Sequence, residues 1–268
     1  MKTPALSFVR SFRADTIKLK NTPIFWISLL GGLFVTGLLF ILHYFSVEEI
    51  HKPDTNPWIF YCAFGMTFIS VLLVVPFAVL VTSSVMLPEH KTESDKYLYS
   101  LPLPKSQFYF SKLVVVLGII ALTYLIFFSA HLLMGWILGL LRPEYEFYQY
   151  APQTLHFAKI LGHSYISVLG VAGLHYWLSV RWKNFIIPMG IGLCGYIISV
   201  MLSITQRFDL AIYFPYSYPA MIGNELGMEN AAQLTWWGAL TNVEWYSIGF
   251  LMLFAVVGFI EESRRNIK

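Results

Sequence analysis

EHKTESDKYLYSLPLPKSQFYFSK, residues 89–112, is a polar interval between two uncharged runs, Trp58–Leu87 of 30 residues and Leu113–Leu141 of 29. A helix needs about 20 predominantly apolar residues to cross the hydrocarbon core of a bilayer. Both runs exceed that, so the interval reads as a loop joining two spans. Its internal pattern is ordered. Pro88 is expected to end the incoming helix, and Thr92-Glu93-Ser94-Asp95 offers an N-cap with acids in the first turn, where the helix dipole favours negative charge. Tyr97, Leu98 and Leu101 then give a short helix one apolar stripe. Pro102 and Pro104 stop it, since proline lacks an amide proton and disfavours helical geometry in the residue before it. A polar-aromatic turn, Lys105–Lys112, leads into the next span. A short amphipathic helix fenced by prolines is suited to docking on something outside the bilayer; an interfacial helix resting on headgroups fits the same pattern.

Working outward, composition agrees with an all-α membrane protein. Of 268 residues, 57% are hydrophobic and 12% charged, about half the charge of soluble domains. Six apolar spans are expected, at about 24–45, 58–87, 113–141, 160–180, 185–205 and 240–260, in a single transmembrane domain covering residues 1–268. From Trp245 to Ile260 the last run is only 16 residues, about 24 Å, so it should begin near Leu240 and carry Glu244 to its outer edge.

Lysine and arginine set the orientation. With the N-terminus in the cytoplasm, 14 of 18 fall on cytoplasmic segments; only Lys52, Arg142, Lys159 and Arg207 lie outside. That is a strong positive-inside bias, and it places both termini and the 89–112 loop in the cytoplasm. Residues 1–23 interleave Lys2, Arg10, Arg13, Lys18 and Lys20 with Ala5, Phe8, Val9 and Phe12, a basic amphipathic helix for an anionic membrane surface. No cleaved signal is expected. Outside, Arg142–Lys159 holds an aromatic cluster, Tyr145, Phe147, Tyr148 and Tyr150, suited to the headgroup zone. Residues 206–239 are too apolar to float in water, and are expected to dip into the outer leaflet or pack on helix ends.

Chemistry is sparse. The chain has no Gly-Lys dipeptide, hence no phosphate-cradling G-x-x-x-x-G-K-[ST] loop. ATP, if used, binds another chain. No carboxylate is expected to be buried in the spans, which weighs against an ion relay. His43, His131, His163 and His175 read as structural, with His163 and His175 on different faces of one helix. Cys62 and Cys194 read as small buried hydrophobes. Glu261-Glu262 reads as a solvated helix end. Gly135-x-x-x-Gly139 and Gly190-x-Gly192-x-x-Gly195 read as packing surfaces, and Pro76 and Pro188 as kinks.

Three features resemble the permease subunits of ABC-2 type exporters, in the branch of lantibiotic-immunity and bacitracin-resistance permeases. They are the basic entry Thr16-Ile17-Lys18-Leu19-Lys20-Asn21, the loop from Glu89 through Tyr97-Leu98-Tyr99-Ser100-Leu101-Pro102 to Lys112, and the six-span plan with a long apolar connection before the last helix. The resemblance implies that the first cytoplasmic loop is a coupling helix seated in a partner ATPase, with Glu89, Asp95, Lys96, Tyr97, Leu98, Leu101 and Pro102 at the contact. It also implies a second permease subunit, identical or a relative, with ATP and Mg held by the ATPase and no cofactor by this chain. The setting would be the cytoplasmic membrane of a bacterium, the cargo an amphipathic peptide or lipid-like molecule, and no nucleic acid would be involved. Two other readings stand beside it: a membrane-embedded enzyme using Glu225, Glu229, Glu244 or the histidines, and an ion-coupled transporter.

Overall fold

The computed structural model describes residues 12–13, 16–17, 23–46, 55–92, 104–182, 184–225 and 240–264. In chain order its main helices are α1 (Pro23–Phe45), α2 (Pro57–Phe68), α3 (Val74–Thr92), α4 (Lys105–Leu141), α5 (Thr154–Arg181), α6 (Ile186–Ile204), α7 (Phe208–Ala211), α8 (Tyr218–Glu225) and α9 (Asn242–Arg264). A π-helical turn, Ile69–Leu73, joins α2 to α3 into one span. Among the described residues six helices are long and apolar enough to cross a membrane: α1, α2–α3, α4, α5, α6 and α9. Successive spans alternate in direction. Thr92, Lys105, Arg181 and Arg264 gather at one end of the bundle, the Lys105 end, and Phe45, Pro57, Leu141 and Thr154 at the other, the Tyr145 end.

The local chemistry explains most boundaries. Asn56 caps α2, its Oδ1 accepting from the Trp58 amide at 3.0 Å, with Pro57 in the first turn. The π turn ends three residues before Pro76. A proline ring collides with the carbonyl four residues back, here Leu72, which the widened turn carries out of regular α geometry. Pro188 lies in the first turn of α6, where a missing amide proton costs no hydrogen bond, so only Pro76 marks an irregular helix.

Other expectations need correction. Pro88 does not end its helix: α3 runs a further turn to Thr92, since proline's fixed φ is helical and the residues after it can continue the helix. Thr92 is therefore the last residue of that helix. Lys105–Lys112 is not a separate turn but the first two turns of α4, which opens directly after extended Pro104. At 37 residues, α4 is about 55 Å long. The fourth helix starts at Thr154, six residues before the expected Ile160. Cys62 is buried, but Cys194 is exposed on α6.

Packing at the Tyr145 end is aromatic. Tyr145 Oη donates to the His43 carbonyl at 2.6 Å, satisfying an orphan acceptor in the last turn of α1. Trp58 Nε1 donates to Phe147 O at 3.1 Å. Tyr145 and Phe147 are thus buried in protein, whereas Tyr148 is exposed; the expected headgroup cluster is half core. Burial pushes the Tyr145 phenol up to about 12, against an opposing pull from Arg142.

The tightest interface joins the fourth and sixth spans. A Cβ on Gly173 would stand 2.9 Å from Leu251 Cα, so only glycine permits that approach. Ser247 Oγ accepts from the Gly170 amide at 2.8 Å and donates to the Ile166 and Ser167 carbonyls at 2.8 and 2.9 Å.

Between α6 and α9 the chain does not leave the bundle at once. After a left-handed Gln206 it turns back along α6, so that Tyr216 meets Gly195, nine residues before the end of that helix. Nine residues of helix are about 13 Å. Tyr216, Ser217, Tyr218, Ala220, Met221 and Ile222 are all buried. Residues 206–225 therefore form a re-entrant segment whose returning part, 216–222, is sheltered by protein, while 206–210 and Tyr213 stay exposed.

Candidate functional site

Most residues expected at the coupling contact lie outside the description: Asp95, Lys96, Tyr97, Leu98, Leu101 and Pro102 fall in 93–103. Glu89 is in the last turns of α3, its side chain outside the described set. At the N-terminus Arg13 is helical and exposed, while Arg10, Lys18 and Lys20 lie outside. What the structure does give is the pair of helices that hold the loop, α3 ending at Thr92 and α4 beginning at Lys105, and what anchors them.

The anchorage is a set of bonds across four spans. Lys105 Nζ donates to the Ser263 carbonyl at 3.3 Å, tying the third span to the sixth. One turn on, Tyr109 packs edge-on against Tyr176, centroids 5.0 Å apart, and against Phe259 at 5.9 Å. Tyr176 Oη donates to the Tyr109 carbonyl at 2.6 Å. Glu261 Oε2 accepts from Trp177 Nε1 at 2.9 Å and from Arg181 at 3.2 Å. It stays partly exposed at the helix end, as expected from sequence, but an indole and a guanidinium a turn apart on α5 hold it. Ser83 and Ser179 hydroxyls lie 3.3 Å apart and join the second span to the fourth. The Arg181–Glu261 pair is exposed, and such a pair contributes about 0–1 kcal/mol. Stiffness here comes from the buried tyrosines.

A second polar centre lies at the other end, and it overturns the expectation that no carboxylate is buried. Glu244 is fully buried, with His163 Nδ1–H donating to its Oε1 at 2.7 Å. Its Oε2 accepts from the Thr241 amide at 2.7 Å and from Thr241 Oγ1 at 3.0 Å. In return Thr241 Oγ1 faces the Glu244 amide at 3.4 Å. This is a capping box, two helix-end donors satisfied reciprocally, extended sideways to a neighbouring span. The carboxylate is affordable in the bundle because both oxygens are bonded. The signal stood in the sequence as Thr241-Asn242-Val243-Glu244 before an apolar run. That pattern fixes Glu244 at the start of the span but does not show that His163 covers it from a neighbouring helix.

Each of His43, His131 and His175 has a hydrogen bond or ring contact inside the bundle. His43 Nδ1 bonds Leu39 O at 2.7 Å. His131 stacks on Tyr61 with centroids 4.1 Å apart. His175 Nε2 meets Tyr216 Oη at 2.8 Å, fastening the re-entrant segment to α5, and Ser199 Oγ donates to the Tyr216 carbonyl at 2.9 Å. His163 and His175 do not share a site. Among the described residues no three His, Cys, Asp or Glu side chains could hold a metal ion.

By sequence no curated protein matches the chain. Residues 12–199, which include the first four spans and the anchored base of the loop, match the family model for ABC-2 family transporter proteins. A six-span bundle with that match over more than half its length identifies the chain as a member of the ABC-2 transporter family, a multi-pass membrane permease.

Proposed function

We propose that the chain is the permease half of an ATP-driven exporter, resembling the lantibiotic-immunity and bacitracin-resistance branch, with the Lys105 end in the cytoplasm of a bacterium. The loop after Thr92, with Asp95, Lys96, Tyr97, Leu98, Leu101 and Pro102, then carries the coupling helix on a separate ATPase that binds ATP and Mg, with Glu89 at its edge, and a second permease subunit, identical or related, completes the pathway. The cargo is an amphipathic peptide or lipid-like molecule moved outward. One observation carries this reading. The helix leaving the loop, α4, runs unbroken from Lys105 to Leu141, and its base is bonded to α9 and α5. A push on the loop is therefore delivered to three spans together. Swinging a two-state transporter from 1:99 to 99:1 needs about 5.5 kcal/mol of differential stabilisation, which a soft linkage would dissipate.

The test is Leu98→Asp with Leu101→Asp. Loss of the copurifying ATPase and of transport is expected; an ATPase that still copurifies, with transport intact, rules out the coupling assignment. A proton-coupled transporter is the second reading, favoured by the buried Glu244–His163 pair. Uptake driven by a proton gradient alone, abolished by Glu244→Gln, would establish it instead.

A further inference from the structure

Three buried polar atoms along the re-entrant segment have no hydrogen-bond partner among the described residues: Ser70 Oγ, Ser217 Oγ and His175 Nδ1. They follow one seam. Ser217 opens the segment's return path, its neighbour Tyr216 reaches down to His175 Nε2, and Gly223 on α8 covers Ser70. All three residues are at least nine-tenths buried. Buried polar groups are nearly always paired, and leaving one unpaired costs free energy. A helical hydroxyl has an easy escape, donating to the carbonyl three or four residues back. Thr36, Thr82 and Ser203 of this chain all take it. Ser70 does not, and it sits in the π turn, a distortion often found at functional sites.

We propose that this seam is the binding site for an uncharged, hydrogen-bonding head group of the amphiphilic cargo, and that the re-entrant segment lies shut over it in this structure. The proposal rests on the transporter reading and adds the site and the head-group chemistry. The head must be uncharged because residues 69–73, 168–179 and 215–223 contain no Asp, Glu, Lys or Arg, and an ionic head drawn into such a wall would lack a counter-charge. Two serine hydroxyls and an imidazole nitrogen suit a sugar, hydroxyl or amide. The segment is shut because a Cβ built on Gly223 would lie 3.5 Å from Ser70 Cβ and 3.6 Å from its Oγ, ordinary contact with no room between. Hydrogen bonds hold the segment at Tyr216 and van der Waals contact closes it at Gly223, so opening on the Gly223 side, which breaks no hydrogen bond to Tyr216, is the movement the proposal requires.

That 3.5 Å spacing falls within the Cβ–Cβ range of disulfides, about 3.5–4.5 Å. The test is Ser70→Cys with Gly223→Cys, in a Cys62→Ala, Cys194→Ser background, in nanodiscs with the copurified ATPase. Octyl glucoside is the probe and octyltrimethylammonium the charged control of equal chain length. The glucoside is expected to slow oxidative cross-linking several-fold while the ammonium compound does not. Once formed, the cross-link should abolish glucoside stimulation of ATP hydrolysis, and reduction should restore it. Equal rates with both probes, or stimulation that survives cross-linking, would overturn the site. As a second variant, Ser70→Ala with Ser217→Ala should keep or raise the melting temperature, because neither hydroxyl is paired, yet bind the glucoside about tenfold more weakly. A lowered melting temperature with unchanged binding would make the hydroxyls structural and reject the proposal. Cross-link protection is measurable on the permease alone. Absence of a copurifying ATPase would thus count against the permease reading, and absence of protection against this site.

Discussion

Glu244 carries more of the fold than its position at a span's edge suggests, because one side chain closes the first turn of α9 and reaches His163 on α5. Glu244→Ala strips both functions and leaves His163 and the Thr241 amide unpaired, at an expected cost of about 3 kcal/mol. Glu244→Gln keeps an acceptor for either partner and should cost about 1 kcal/mol. Thermal unfolding of the detergent-solubilised protein would rank the two; equal losses would mean that the charge itself matters. At the same end, Tyr145 gives a pH dependence. Its phenol is raised from about 10 in an unfolded chain to about 12 by burial. A raised folded value means the stabilising contribution is complete below pH 10 and disappears as pH climbs through about 12. In a tyrosinate-absorbance titration, Tyr145→Phe should remove one phenol from the group that ionises late, and an unchanged late amplitude would show that Tyr145 is not buried.

At the level of elements, the long helices were legible because about 20 uncharged residues in a row have few alternatives to crossing a bilayer. Their ends were less so. Pro88 reads as a stop and Pro188 as a kink, yet Pro88 lies inside α3 and Pro188 in a first turn. Whether a proline distorts a helix depends on where the helix begins and on whether the turn behind it widens, neither of which is written in the sequence. The π turn before Pro76 is invisible to periodicity for the same reason. The nature of Lys105–Lys112 can be checked by proline placement. Ser106→Pro falls in the first turn of α4 and should be tolerated, whereas Ser111→Pro falls in its interior and should cost about 3 kcal/mol or more. Comparable tolerance at both positions would restore the separate turn.

For the whole molecule, hydropathy anticipated six crossings, and the apolar 206–239 connection was expected to dip or pack. Which spans touch was not readable. That order depends on matched surfaces such as Gly173 against Leu251 and Ser247 against Gly170, residues 77 or 78 positions apart. The polar seam was hidden likewise, since Ser70, His175 and Ser217 come from three separate segments. The coupling contact is the opposite case, a pattern visible in sequence whose central residues lie beyond the described structure. Orientation is open to a direct experiment. Ser46→Cys should react with an impermeant maleimide in intact cells, and Ser263→Cys only after permeabilisation, in a Cys194→Ser background. The reverse labelling would invert the whole arrangement.

The stitch at Ser247 also bears on biosynthesis. The fourth span is synthesised more than sixty residues before the serine that occupies its backbone at Gly170 and Ile166. Until the ribosome delivers the final helix, the His163 imidazole confronts lipid without its carboxylate partner. Nascent chains interrupted before Asn242 should therefore be recognised and degraded by membrane proteases, however well their first five segments have inserted.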